Sequence, residues 1–438
     1  MDHFSYKNGV LYAEGVAIPE IVKQVETPFY CYSTATLQRH YNVFMDSFKE
    51  SGVKVNLCFA VKANSNLAVI KTLVKLGAGG DAVSEGEIRR CLAAGIPGNK
   101  IVFSGIGKTR EELKFALEND IMQINIESEP ELYALNEIAI SIGAKARVAF
   151  RVNPDVDAGS HDKISTGRKH DKFGIEWERV RGIYKIANAM PGIKVQGVAV
   201  HIGSQLTNLE PFKKSFAKVK ELVIQLRADG INITHLDLGG GLGIPYKNGE
   251  IPTPFEYANI VLEEVKDLGC ELTFEPGRLI CGNAGILVSK VIYIKESSVR
   301  KFLIIDAAMN DLVRPALYDA YHEIVAVREK GLREKGAREE NPSSLTPLLP
   351  CSLETYDIVG PICETGDIFA KQRKLPVFEA GDLLAVRSAG AYGAVMSSEY
   401  NSRLLIPEVM VNGDEMAIVR PRETYEQMLG RDKIPGWL

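Results

Sequence analysis

A lysine stands where a buried strand runs out. In FAVKAN, Phe59 to Asn64, Lys62 follows the apolar run VNLCFAV and precedes NLAVIKTLVKL, whose apolar spacing is helical. At such a tip an ammonium group either points at solvent or stands in a partly desolvated pocket. In the second case it gives up its proton more readily and becomes a nucleophile toward an aldehyde. Three other stretches supply what an aldehyde-bearing, phosphorylated ring would need. DLGGGLG, Asp237 to Gly243, has consecutive glycines, including Gly240 and Gly241, that let backbone N–H groups converge on an anion. It lacks the GxGxxG spacing of a dinucleotide fold, and it reads equally as a tight turn. FEPGR offers Glu275 as a carboxylate against a ring nitrogen, and Arg278 as a planar fork for phosphate or carboxylate. HIGSQ offers His201 to stack on a flat ring and Ser204 to donate to phosphate. Taken together, the set fits pyridoxal 5′-phosphate (PLP), which needs an amine, a phosphate cradle, a partner for its pyridine nitrogen and a group on its face.

The elements that must position these groups alternate. From about residue 34 to 280, eight short apolar strands are each preceded by a helical segment, beginning with ATLQRHYNVFMDSFKESG and VNLCFAVKA. Parallel strands with helical crossovers follow from that order. Eight units in this length fit a closed (β/α)8 TIM barrel better than an open doubly wound sheet, which is the alternative. Barrel chemistry sits at the C-terminal strand ends. Those ends carry Lys62, Ser84, Ser104, Glu127, Asn153, His201, Gly239 to Gly241, Glu275 and Arg278. Thr109 is expected to cap the helix TREELKFALEND. Past residue 280 the pattern becomes strand-like (GILVSKVIYIKES, KFLIIDAA, DLLAVRS, EVMVNG), so residues 281–438 form a second, β-rich domain. Residues 1–33, with GVLYAEGVAI and PFYCYS, read as strands that join it. REKGLREKGAREENPSSL reads as an exposed charged loop, and GSHDKISTGRKHDKFGI, 159–175, as a loop over the mouth of the barrel that carries no assignable role.

Bulk properties narrow the class. The 438 residues are 45% hydrophobic and 25% charged with a net charge of −4, so there is no basic stripe for nucleic acid. No apolar run approaches a membrane span, and the N-terminus shows no secretory pattern. The seven cysteines show no metal-like spacing, which points to a reducing cytoplasmic compartment with mostly buried cysteines and to no metal.

The motifs AVKAN, HIGSQ, GGGLG, EPGR, GPICETGD and GAYG, in this order and approximate spacing, resemble those of the diaminopimelate decarboxylases, which are fold type III, alanine-racemase-like PLP enzymes. The resemblance covers nearly the whole chain. It implies that Lys62 carries PLP, that His201 packs on its ring, and that Glu275 meets the pyridine nitrogen. Ser204, Gly240, Gly241, Gly277, Arg278 and Tyr392 would hold the phosphate or lie beside it. It makes Cys363 the proton donor to the substrate carbon, although composition alone reads Cys363 as a buried structural cysteine. It also implies a homodimer in which Cys363 and Glu364 reach the partner's active site.

Substrate choice follows from charge. Diaminopimelate carries a second amino-acid head, so its far end needs a carboxylate and a guanidinium together. Glu364 suits the distal ammonium. Arg278 and Arg314, with Tyr318 from RPALYDAY, suit the distal carboxylate, and Tyr392 contributes to substrate as well. The expected reaction is decarboxylation of meso-2,6-diaminopimelate to L-lysine, the last step of lysine biosynthesis. The alternatives are a decarboxylase of ornithine, arginine or carboxynorspermidine, an amino-acid racemase, or a non-catalytic PLP-binding protein. Arg314 with Glu364 argues against the first. Glu275 argues against the second, since racemases resembling this class place an arginine there. The β-rich domain argues against the third.

Overall fold

The structure is a computed structural model that describes residues 2–157, 172–247, 249–329 and 352–438. It divides into two compact units, Leu37–Gly282 and Met1–Thr36 with Asn283–Leu438.

The first unit is a closed parallel barrel. Its strands are Val55–Ala60, Gly79–Ala82, Ile101–Phe103, Gln123–Ile126, Ala146–Asn153, Ile193–Ala199, His235–Asp237 and Glu271–Phe274. Each pairs in parallel with the next, and the eighth returns to the first through Leu272↔Val55 and Phe274↔Leu57. Closure excludes the open-sheet alternative. Strands two, three and four are buried at every residue, as expected where a helix covers one face and the barrel interior the other. Helix starts are written into the sequence. Thr109 and Thr253 form capping boxes with Glu112 and Glu256, and Asn66, Ser84 and Ser128 accept backbone N–H groups at three more helices. Beneath the eighth strand, Phe274 packs edge-on to Phe44 with ring centroids 5.3 Å apart, and lies 4.9 Å from Phe48. This aromatic packing fixes the strand end from which Glu275 emerges.

The second unit is built on strands. Gly285–Glu296 runs antiparallel to Phe29–Ser33, to Leu383–Val386 and, through its far half, to Lys301–Ile305. Phe29–Ser33 also pairs in parallel with Glu408–Asn412. Phe4–Lys7, Val10–Ala13 and Val16–Ala17 form a separate three-stranded sheet. Leu11, Ile18, Ile21, Phe29, Ile286, Val288, Ala385 and Val409 share one core. The sequence reading missed the helix Ile18–Val25. Its signal is present: Pro19 in the first turn, and Ile18, Ile21 and Val25 on one buried face. Of the charged segment 328–345, residues 330–345 lie outside the described residues. Among the described residues no helix is long and apolar enough to cross a membrane.

Candidate active site

Lys62 sits in a short 3-10 turn, Val61–Ala63, directly after the first barrel strand. Its Nζ lies 2.5 Å from Asp81 Oδ2; the Asp81 side chain is fully buried, while that of Lys62 is 38% exposed. A buried carboxylate needs a partner, and Lys62 supplies it. The second strand can carry Asp81 this deep because Gly79 and Gly80 precede it. A Cβ on Gly79 would stand 2.2 Å from the Lys100 carbonyl, and one on Gly80 would stand 2.5 Å from Cys91 Sγ. Lys62 opens onto a cavity of about 300 Å³ whose polar lining includes Ser104, Asn125, Arg151, His201, Asp237 and Glu275.

Two carboxyls face each other across that lining. Asp237, at the end of strand seven, accepts Asn125 Nδ2 at 2.8 Å and the Gly239 N–H at 3.0 Å. Glu275, just past strand eight, receives the Ser104 hydroxyl at 3.3 Å, and Ser104 in turn accepts Asn125 Nδ2 at 3.0 Å. Burial, then the charges of Asp237 and Asp81, push the Glu275 carboxyl well above the ordinary carboxylate range, with Lys62 opposing. Burial also raises Asp237, but the amide donors from Asn125 and Gly239 hold it down. Both carboxyls are thus pushed toward the protonated form, Glu275 the more strongly, because Asp237 has the amide donors that favour its charged form.

His201 follows strand six, and its Nδ1 accepts the Gly240 N–H at 3.2 Å, which places the ring proton on Nε2. Burial, then the charges of Arg151 and Lys62, hold the ring well below its usual pKa and therefore neutral. Arg151 is itself fixed by Glu127 at 3.0 Å, stands over the Phe173 ring at 4.6 Å, and donates to the His201 carbonyl at 3.4 Å.

A second group of predicted residues adjoins this cavity without lining it. Arg278 is buried; it donates to Ser204 Oγ at 3.1 Å and to the Tyr246 hydroxyl at 2.6 Å. Gly241 has φ +104°, and a Cβ on Gly240 would lie 2.4 Å from the Glu275 carbonyl, so this turn requires glycine. A Cβ on Gly277 would meet that of Ala63 at 2.7 Å, beside Lys62 in the chain.

The remaining predicted residues belong to the β unit. Arg314 opens the helix Arg314–Tyr318 and is buried, with Nη1 2.8 Å from His322 Nε2. Tyr318 closes that helix and is partly exposed. Tyr392 has φ +55°, uncommon for an aromatic residue and a mark of local constraint. Cys363 is exposed, which overturns its reading as a buried structural cysteine; the other described cysteines are buried. Its backbone N–H reaches Asn401 Oδ1 at 3.0 Å, and the neighbouring Glu364 accepts the Tyr400 hydroxyl at 2.9 Å.

Sequence reasoning missed Asp81, Asn125, Arg151 and Asp237 as side chains of the site. An aspartate inside an apolar strand, GGDAV, was the available signal for Asp81. Ser84, read as a pocket residue, instead caps the helix Glu85–Ala94. Of the 159–175 segment, 159–171 lies outside the described residues, while Phe173 lines the cavity and the Gly174 N–H donates to Glu127 at 2.9 Å.

Residues 34–282 match the profile of the pyridoxal-dependent decarboxylase, pyridoxal binding domain. The chain is 47% identical over 438 residues to a diaminopimelate decarboxylase of Vibrio cholerae, covering 99% of each protein. The M. jannaschii diaminopimelate decarboxylase, solved in complex with L-lysine, superposes with a TM-score of 0.91 at 38% identity, covering 100% of this chain and 99% of that one. That of Helicobacter pylori, also solved with L-lysine, gives 0.87 at 38% identity over 94% of this chain and 98% of that one. The chain belongs to the diaminopimelate decarboxylase family.

The cavity fits the family's cofactor by its donor set. A primary amine faces it, a carboxyl pushed toward its protonated form stands in its wall, and a guanidinium, a hydroxyl and a glycine turn adjoin it. Asp81 Oδ1 is buried and has no hydrogen-bond partner among the described residues, so the anionic wall beside Lys62 retains acceptor capacity.

Because the folded-state pKa of Glu275 is raised, its cost to the fold is absent at acid pH and grows as pH rises toward the folded value. Glu275→Gln is therefore expected to raise the melting temperature of the PLP-free protein by a few degrees, since ~1 kcal/mol moves a domain of this size by about 2–4 °C. Differential scanning fluorimetry should find a larger gain at pH 8 than at pH 5. A gain that shrinks with rising pH would contradict the assignment.

Proposed function

We propose that this protein catalyses the PLP-dependent decarboxylation of meso-2,6-diaminopimelate to L-lysine and CO2, the last step of lysine biosynthesis. The observation that carries the reading is Lys62 facing Glu275 across one cavity, in a chain that matches diaminopimelate decarboxylases end to end. The cofactor is pyridoxal 5′-phosphate. When bound, it supplies an aldehyde for amine exchange and a protonated ring that takes up the electron pair left by the departing carboxylate.

The residues of the chain do the rest. Lys62 provides the amine that holds the cofactor, oriented by its ion pair with Asp81. Glu275, backed by Asp237, Asn125 and Ser104, keeps a proton at the pyridine nitrogen. His201, neutral and fixed by the Gly240 amide, covers the ring face without adding a charge to the site. Ser204, Gly240, Gly241, Gly277, Arg278 and Tyr392 hold or flank the phosphate. Cys363 returns a proton to the substrate carbon, a role its exposure supports. Glu364 takes the distal ammonium; Arg314, Tyr318 and Arg278 take the distal carboxylate, with Tyr392 beside them. Binding the remote head turns the reacting carboxylate toward cleavage. Arg314 disfavours ornithine and arginine as substrates, and Glu275 disfavours racemisation.

The working state in this reading is a homodimer. Cys363 and Glu364 stand on an exposed loop rooted by buried Ile362 and Asp367, which suits a segment that serves a second copy. We place the protein in the cytoplasm, supported by the described cysteines being free thiols.

Incubation of the PLP-loaded protein with diaminopimelate, ornithine and arginine in parallel tests the substrate. Lysine and CO2 in equal amounts from diaminopimelate alone is the expected result; CO2 from ornithine or arginine instead would remove the assignment. Arg314→Ala should lower kcat/KM for diaminopimelate by about 100-fold or more, the scale of leaving a charge without its partner, with the cofactor absorbance unchanged. Mixing Lys62→Ala with Cys363→Ala tests the shared site. Each variant alone is inactive, and random re-pairing should restore about a quarter of wild-type activity, because half the dimers are hybrids with one complete site of two. No recovery would mean that each chain completes its own site.

A further inference from the structure

Cys363 and Glu364 stand side by side on a loop, 360–367, between the strands Leu353–Val359 and Ile368–Pro376. Both are exposed. The root of the loop is tied by Asp367, whose Oδ2 accepts the Ile362 N–H at 2.8 Å and whose Oδ1 accepts the Met309 N–H at 2.7 Å. The tip is tied from elsewhere in the chain. A short 3-10 turn, Tyr400–Ser402, presents two consecutive side chains to these two consecutive residues. Asn401 Oδ1 accepts the Cys363 N–H at 3.0 Å, and Tyr400 donates its hydroxyl to Glu364 Oε2 at 2.9 Å.

The turn is shaped and braced for these contacts. Asn401 has φ +56° and ψ +29°, the left-handed region that asparagine enters more readily than most side chains. Just before it, the Ser398 N–H donates to the Asn310 carbonyl at 3.0 Å, and Asn310 Nδ2 donates to the Ser398 carbonyl at 2.9 Å. Just after it, Arg403 Nη2 donates to the Asp306 carbonyl at 2.6 Å. The 306–310 segment therefore holds the turn, through Asp306 and Asn310, and the root of the loop, through Met309. Loop and turn share one base, and Tyr400 and Asn401 bridge their tips. An exposed loop tip has to be ordered against its own conformational entropy, and a bridge of this kind does so. An N–H held by an amide oxygen fixes the Cys363 backbone and leaves the thiol out of the bond. A phenol orients the Glu364 carboxylate and leaves its charge in place for an ammonium, where a lysine would neutralise it.

We propose that Tyr400 and Asn401 are positioning residues for the reaction: Asn401 sets where the Cys363 thiol stands for proton return, and Tyr400 aims the Glu364 carboxylate at the distal ammonium of the substrate. The proposal rests on the roles given above to Cys363 and Glu364.

The test separates those roles from their positioning. L-Lysine keeps the distal amino-acid head of the substrate, so its binding reports on Glu364. Steady-state kcat and KM for diaminopimelate, the Kd of L-lysine for the PLP-loaded protein by calorimetry and the cofactor absorbance are measured for wild type, Cys363→Ala, Glu364→Gln, Asn401→Gly, Asn401→Asp and Tyr400→Phe. Asn401→Gly keeps the left-handed backbone and loses the acceptor; Asn401→Asp keeps both. Asn401→Gly is expected to lower kcat by on the order of 10-fold, the scale of a small misplacement of a reacting group, with the Kd of L-lysine within about threefold. Asn401→Asp should recover most of that loss. Tyr400→Phe is expected to raise KM and the Kd of L-lysine by about 10-fold, as losing a hydrogen bond to a charged group does, with kcat within about twofold. The cofactor absorbance should not change. Suppose Cys363→Ala lowers kcat and Glu364→Gln weakens lysine. The positioning proposal then falls if Asn401→Gly keeps the wild-type kcat, if Tyr400→Phe keeps the wild-type lysine affinity, or if each variant loses both quantities equally. If Cys363→Ala keeps kcat and Glu364→Gln keeps lysine affinity, the roles given to those two residues fall first.

Discussion

The site depends on one electrostatic imbalance: three buried or enclosed carboxyl groups, Asp81, Asp237 and Glu275, stand around a single ammonium, Lys62. Burying carboxylates is costly, and one cation cannot balance three. The barrel resolves this by treating each differently. Asp81 is paired with Lys62 at 2.5 Å, Asp237 is satisfied by amide N–H groups, and the Glu275 carboxyl is pushed toward its protonated form by burial and the other two charges. In the proposed function, a carboxyl of this kind is what stands opposite the pyridine nitrogen. The other cation in the lining, Arg151, is paired with Glu127, and burial first, then the charges of Arg151 and Lys62, keep His201 uncharged.

Geometry makes that arrangement possible at a few points of close backbone approach. Gly79 and Gly80 let the second strand lie against its neighbours deeply enough to submerge Asp81. Gly240 lets the turn after strand seven touch the Glu275 carbonyl and donate to His201 at once. Side chains at these positions would push apart the strand ends that bring amine, imidazole and carboxyl together. The aromatic packing of Phe44, Phe48 and Phe274 does the same from below.

Much of this was legible in the sequence because a barrel puts its chemistry in a regular place. Helix–strand alternation located the strand ends, and Lys62, His201 and Glu275 stand at those ends. What was not legible depended on partners far apart in the chain. Asp81 lies inside a strand, where the strand-end rule does not look, and only its contact with Lys62 gives it meaning. Asp237 was visible as part of a glycine turn, but its coupling to Glu275 comes from the parallel pairing of strands seven and eight, where Asp237 lies opposite Thr273. Ser84 stands at a strand end, yet its hydroxyl serves the following helix. The helix Ile18–Val25 was overshadowed by the strand-like residues on either side of it.

The central claim is covalent: the amine at position 62 binds the cofactor. Borohydride reduction of the PLP-loaded protein, followed by proteolysis and mass spectrometry, tests it most directly. The account predicts one pyridoxyl adduct per chain, on Lys62. An adduct on another lysine, or no adduct in protein that still releases CO2 from diaminopimelate, would contradict it.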